Sequence, residues 1–111
     1  MGRVPLKRRL AILMGVTLTL TGWAVAQEPA PTAIAIEGFA FKPGLITISP
    51  GVEVVWTNKD GPDHTVTARN RSFDSGALSQ GKTFKTKFAR PGTFDYACEF
   101  HPDMTGRVVV K

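Results

Sequence analysis

Apolar residues recur at every second position through most of the chain. Ile34 and Ile36 share one side of residues 32–37, residues 45–48 alternate in the same way, and Val52, Val54 and Trp56 line one side of residues 52–57. In residues 82–88, Phe84 and Phe88 point one way and Lys85 and Lys87 the other; in residues 93–98, Phe94, Tyr96 and Cys98 fall on one face. Val108 and Val110 pair on a last segment. A period of two marks strands with one buried and one wet face. Turn-forming groups separate them at short intervals: Lys42-Pro43-Gly44, Pro50-Gly51, Asp60-Gly61-Pro62, Gln80-Gly81 and Arg90-Pro91-Gly92. No segment after residue 26 has a capped helical stripe. The pattern predicts an all-β antiparallel sandwich or barrel, as one domain without repeats or internal linkers.

The first 26 residues depart from this pattern. Arg3, Lys7, Arg8 and Arg9 form a basic start, residues 10–23 are uncharged and largely apolar, and Ala24-Val25-Ala26 precedes polar Gln27 and Glu28. That order is the one found in secretory signal peptides. The expected division is a signal peptide over 1–26 and a working domain over 27–111. The competing reading is a retained anchor, since 17 uncharged residues run from Leu10 to Ala26, the short end of a bilayer span.

The charge balance changes meaning with this division. The 111 residues carry 14 Lys+Arg and 9 Asp+Glu, a formal charge of +5, which by itself points to nucleic acid or an acidic partner. Four of the basic residues and none of the acidic ones precede Glu28, so the chain from Gln27 carries only +1. With its aromatics alternating inward, it offers no stacking platform for nucleic acid. A domain of this size is too small for a multidomain enzyme or a large cofactor fold. It also lacks the disulfide staples common in exported domains, because Cys98 is the only cysteine.

The soft and imidazole donors are few and close together. Beyond the leader they are Cys98, His64, His101 and Met104; three of these lie in Cys98-Glu99-Phe100-His101-Pro102-Asp103-Met104, at the end of a strand. Two imidazoles and one thiolate in a near-trigonal plane, with a long, weak thioether contact, make a blue-copper electron-transfer centre. Soft sulfur favours Cu(I) and nitrogen Cu(II), so a compromise geometry held by the fold minimises rearrangement. Zinc also accepts Cys-His-His sets, but methionine is a poor ligand for it.

The stretches F-x-F-K-P from Phe39, I-T-I-S-P-G-V-E-V-V-W-T-N from Ile46, D-H-T-V-T around His64, P-G-T-F-D-Y-A-C ending at Cys98, and H-P-D-M-T-G-R-V-V-V from His101 together resemble a single-domain cupredoxin of the plastocyanin and amicyanin kind. The resemblance implies a Greek-key β-sandwich and one copper ion bound by His64, Cys98, His101 and Met104. The two-residue gap between His101 and Met104 is similar to that of amicyanin. In many members an Asn follows the upstream His and braces the Cys loop; here Thr65 stands there, and its hydroxyl is expected to bond to backbone instead. Asn58 is a further candidate for support of the site.

The expected function is a soluble, periplasmic, monomeric one-electron carrier cycling Cu(II)/Cu(I), not an enzyme. Transient redox partners are expected to dock near His101, with Phe100 and Pro102 as an apolar rim. The alternative is a periplasmic copper-delivery protein, which calls for exposed, rapidly exchanging ligands. Two histidines are too few for the further copper centres of an oxidase.

Overall fold

Among the described residues, eight strands form in the order β1 (Thr32–Ile36), β2 (Phe41–Lys42), β3 (Leu45–Ile48), β4 (Glu53–Asn58), β5 (Thr67–Ala68), β6 (Thr83–Lys87), β7 (Gly92–Cys98) and β8 (His101–Val110). The structure, a computed structural model, describes residues 2–3, 15–17, 22–23 and 28–111. The signal peptide expected over residues 1–26, with its cleavage motif at 24–26, lies largely outside the described residues. Among the described residues, no helix is long and apolar enough to cross a membrane.

The strands make two four-stranded sheets, β2-β1-β4-β6 and β3-β8-β7-β5. The sandwich expected from the alternation is present, but its sheets are mixed instead of wholly antiparallel: β1 runs parallel to β4, and β3 parallel to β8. Alternation records which face a residue occupies, not the direction of the neighbouring strand. The inward rows follow the period of two. Ile34 and Ile36 of β1, Val54, Trp56 and Asn58 of β4, Tyr96 and Cys98 of β7, and Met104, Val108 and Val110 of β8 are all buried. Lys85 and Lys87 are exposed on β6, as the pattern requires.

Trp56 sits at the middle of the core, with Phe73, Phe84, Phe88 and Tyr96 around it at ring separations of 5.9, 5.8, 6.5 and 5.5 Å. Burying one such ring stabilises the fold by roughly 3–5 kcal/mol before entropy is counted. Tyr96 also meets Phe41 edge to face at 4.7 Å. It lies directly opposite Gly106 in the β7–β8 ladder, and a methyl group on Gly106 would collide with the Tyr96 phenol ring. Burial pushes the Tyr96 phenol up to about 12. This packed centre holds the β4, β7 and β8 ends in fixed relation, and the chemistry-bearing residues lie at one such end.

Candidate metal centre

The segment after β4 is pinned before it reaches His64. Asn58, fully buried, donates through Nδ2 to the carbonyls of Leu78 at 2.8 Å and Pro62 at 3.0 Å, and its Oδ1 accepts the Asp60 N–H at 2.9 Å. His64 then exchanges two backbone hydrogen bonds with Leu78, at 3.1 and 2.7 Å. Its imidazole is buried, and Nε2 lies 2.9 Å from the Asp60 carboxylate. A carboxylate only accepts, so Nε2 carries the proton and Nδ1 presents its lone pair on the far side of the ring. Nδ1 faces the Cys98 sulfur at 3.7 Å.

Asp60 has two further partners, the N–H groups of Gly38 at 2.8 Å and Phe39 at 2.9 Å. The hydrogen bond from the Phe39 N–H, with smaller help from Gly38 and His64, holds the Asp60 carboxyl below its usual range against the opposing effect of burial. It is therefore ionised at neutral pH, as an acceptor for His64 requires.

Cys98 ends the inward row of β7, with its sulfur buried. The Thr65 N–H donates to that sulfur at 3.3 Å, and the Thr65 hydroxyl accepts the Glu99 N–H at 2.8 Å. The brace expected of Thr65 is thus made by its Oγ1, which ties the His64 segment to the turn after Cys98. His101 opens β8 and is half-buried, with Nδ1 3.7 Å from the Cys98 sulfur. The ligand atoms of His64, Cys98 and His101 all lie within 4.8 Å of one another. Strand β8 begins earlier than the valine alternation indicated, so His101 and Met104 stand on it.

Met104 is buried, in the same inward row as Val108 and Val110. The regular ladder pairs Ala97 with Thr105, so one further step would set Cys98 opposite Met104; a register shift there pairs Cys98 with His101 instead. Such irregularities re-aim side chains at strand ends.

Two residues of the site were not nominated from sequence. Asp60 read only as part of a turn, and Phe39 only as part of a motif. Phe39 lies edge to face against both His64 and His101. The sole hint was a large aromatic beside Gly38 in the short connection between β1 and β2.

Two imidazole nitrogens and a sulfur converge on one buried point, with the remaining His64 nitrogen already committed to Asp60. That donor set fits a soft or borderline metal ion, and nitrogen with thiolate suits copper. A family model described as a cupredoxin-like domain matches residues 10–110. The chain belongs to the cupredoxin-like family. Among its cupredoxin relatives, amicyanin-alpha of Methylorubrum extorquens is 34% identical over 94 residues, covering 79% of this chain and 79% of that one. The chloroplastic plastocyanin of Tetradesmus obliquus is 29% identical and covers 94% of this chain and 82% of its own. Among solved structures, a reduced amicyanin variant superposes with a TM-score of 0.69 at 25% identity, covering 74% of this chain and 83% of that one. A copper-containing nitrite reductase from Thermus scotoductus gives a TM-score of 0.71 at 26% identity, but this cupredoxin domain spans only 23% of that enzyme.

Proposed function

We propose that this cupredoxin is an exported one-electron carrier whose working domain is residues 27–111 and whose copper ligands are His64 Nδ1, the Cys98 thiolate, His101 Nδ1 and the Met104 thioether. The observation that carries this reading is the convergence of three donor atoms within 4.8 Å at a buried strand end. Copper supplies one reversible step between Cu(I) and Cu(II). The chain's own contribution is to hold its donors still. Asp60 fixes the His64 tautomer, the Thr65 N–H steadies the sulfur, and the Thr65 hydroxyl locks the turn that separates Cys98 from His101. Hydrogen bonds of this kind orient ligands and tune a bound metal. The inward position of Met104 and the register beside Cys98 support its assignment as the weak fourth contact.

His101 is the half-exposed ligand and therefore the point of electron entry and exit. Phe100, 52% accessible, and Phe39, 49% accessible, supply apolar surface beside it, suited to the small interfaces of transient redox complexes. The protein acts as a monomer in the periplasm. Its likeness to amicyanin and plastocyanin supports a carrier over an enzyme. Copper delivery is the second reading, but the full burial of His64 and Cys98 disfavours rapid ligand exchange.

The test is the visible spectrum after adding Cu(II) to the metal-free protein. An intense thiolate-to-copper band, bleached by mild reductant and restored by oxidant, is expected, and Cys98→Ser should abolish it. A colourless wild-type protein would end the copper reading. A coloured one that cannot be cycled would favour delivery.

A further inference from the structure

Phe39 combines two features that are each unfavourable. Its ring is half exposed, and its backbone sits at φ 55°, the left-handed region that disfavours every side chain except glycine. The preceding Gly38 adopts φ 63° without that penalty. Asp60 holds both residues there, by accepting their successive N–H groups at 2.8 and 2.9 Å. A strained residue that its surroundings over-determine points to a function served by its position.

That position is against both imidazoles. The Phe39 ring centroid lies 5.1 Å from that of His64 at an interplanar angle of 87°, and 4.9 Å from that of His101 at 88°. The two imidazoles are themselves 5.2 Å apart. The three rings close a nearly equilateral triangle, with Phe39 perpendicular to each histidine, a favoured aromatic geometry. The two histidines depend on it unequally. His64 is buried, bonded to Asp60 and held at its backbone by Leu78. His101 is half-buried, and among the described residues its ring has no hydrogen-bonding partner except the Cys98 sulfur at 3.7 Å.

We infer that Phe39 is a positioning residue: its ring, set in place by the Asp60 clamp, keeps the His101 imidazole turned so that Nδ1 faces the Cys98 sulfur. The inference rests on the metal-centre reading above for its purpose, but its structural content concerns the metal-free chain. Asp60 thus serves both histidines, His64 through a direct hydrogen bond and His101 through the Phe39 ring. Holding His101 ready before metal arrives lowers the rearrangement needed on binding.

The test compares wild type with Phe39→Tyr, Phe39→Leu and Phe39→Gly in the full chain. Phe39→Gly removes the ring while relieving the left-handed backbone, so its folding does not suffer from the strain. In the metal-free proteins, side-chain couplings and nuclear Overhauser contacts read the His101 rotamer. Wild type and Phe39→Tyr are expected to keep one rotamer, whereas Phe39→Leu and Phe39→Gly average among several with His64 unchanged. In the Cu(II)-loaded proteins, release to a chelator is expected to be about tenfold faster for the Leu and Gly variants, the lower end of what outer contacts contribute to metal affinity. A single His101 rotamer in both ring-less variants overturns the proposal, as does averaging of His64 to the same extent, or copper release unchanged from wild type. If the wild-type protein gives no thiolate-to-copper band, the copper reading fails instead, and the metal-free comparison still decides the role of Phe39.

Discussion

His64 and His101 present the same atom, Nδ1, at the same 3.7 Å from the Cys98 sulfur, yet the protein holds them by different means. The His64 side is a hydrogen-bonded frame: Asn58, Leu78 and Asp60 fix backbone, ring plane and tautomer in a buried setting. The His101 side is the surface end of β8, where the ring packs against Phe39, the backbone pairs with Cys98 across the β7–β8 ladder, and the preceding turn is tied through Glu99 to Thr65. Directional bonds specify an orientation, and packing limits the alternatives. A site that must stay rigid yet reach a partner benefits from one ligand of each kind, because full burial of both would leave no exposed edge.

Removing the shared element of the frame should have the largest effect on this contrast. Asp60→Ala deletes the acceptor of the His64 Nε2 proton together with the clamp on Gly38 and Phe39. Copper affinity measured by chelator competition is expected to fall on the order of 10- to 100-fold. The same carboxyl predicts an acid limb. The folded protein holds Asp60 below 3.8, the value of the free side chain, so its contribution is whole above that pH and is lost as the pH falls through the lower folded value. Denaturant unfolding of the metal-free protein should show the gap between wild type and Asp60→Ala closing as the pH drops below 3.8.

A smaller effect should come from the link between the two sides. Thr65→Val keeps the shape but leaves the Glu99 N–H without its acceptor, which costs about 1–2 kcal/mol. Thermal unfolding of the metal-free protein measures it, and Thr65→Ser should recover most of the loss. If Val and Ser behave alike, the hydroxyl does not brace the Cys98 turn. The smallest effect is expected at the outer edge of the His101 side. Arg71 pairs with Glu99 at 2.6 Å, but both side chains are well exposed, and exposed ion pairs contribute little. Arg71→Ala should leave the melting temperature within experimental scatter. A clear drop would mean that the turn relies on this pair and not on Thr65.

The strands were legible because the half-buried faces impose a period of two, which Trp56, Tyr96 and Val108 follow closely. The donors were legible for a different reason: imidazole and thiol groups are so scarce in this chain that His64, Cys98 and His101 had few competitors. Thr65 was legible in part, since a hydroxyl seeking backbone could be anticipated but not its choice of the Glu99 N–H. Asp60 and Phe39 were not. Their bonded pair is separated by 21 positions along the chain, and an aspartate in a turn or a phenylalanine in a β pattern has ordinary uses that composition does not distinguish.

By itself the amino-acid order determined which residues face inward and which few atoms are able to bind a soft metal. Both follow from chemistry carried by single residues and their spacing. Only the tertiary structure decided that β1 lies parallel to β4 and β3 to β8, that Asp60 joins the Gly38–Phe39 turn to His64, and that Phe39 stands against both imidazoles. Those are relations between segments distant in the chain. They exist only once the core around Trp56 has brought the two sheets together.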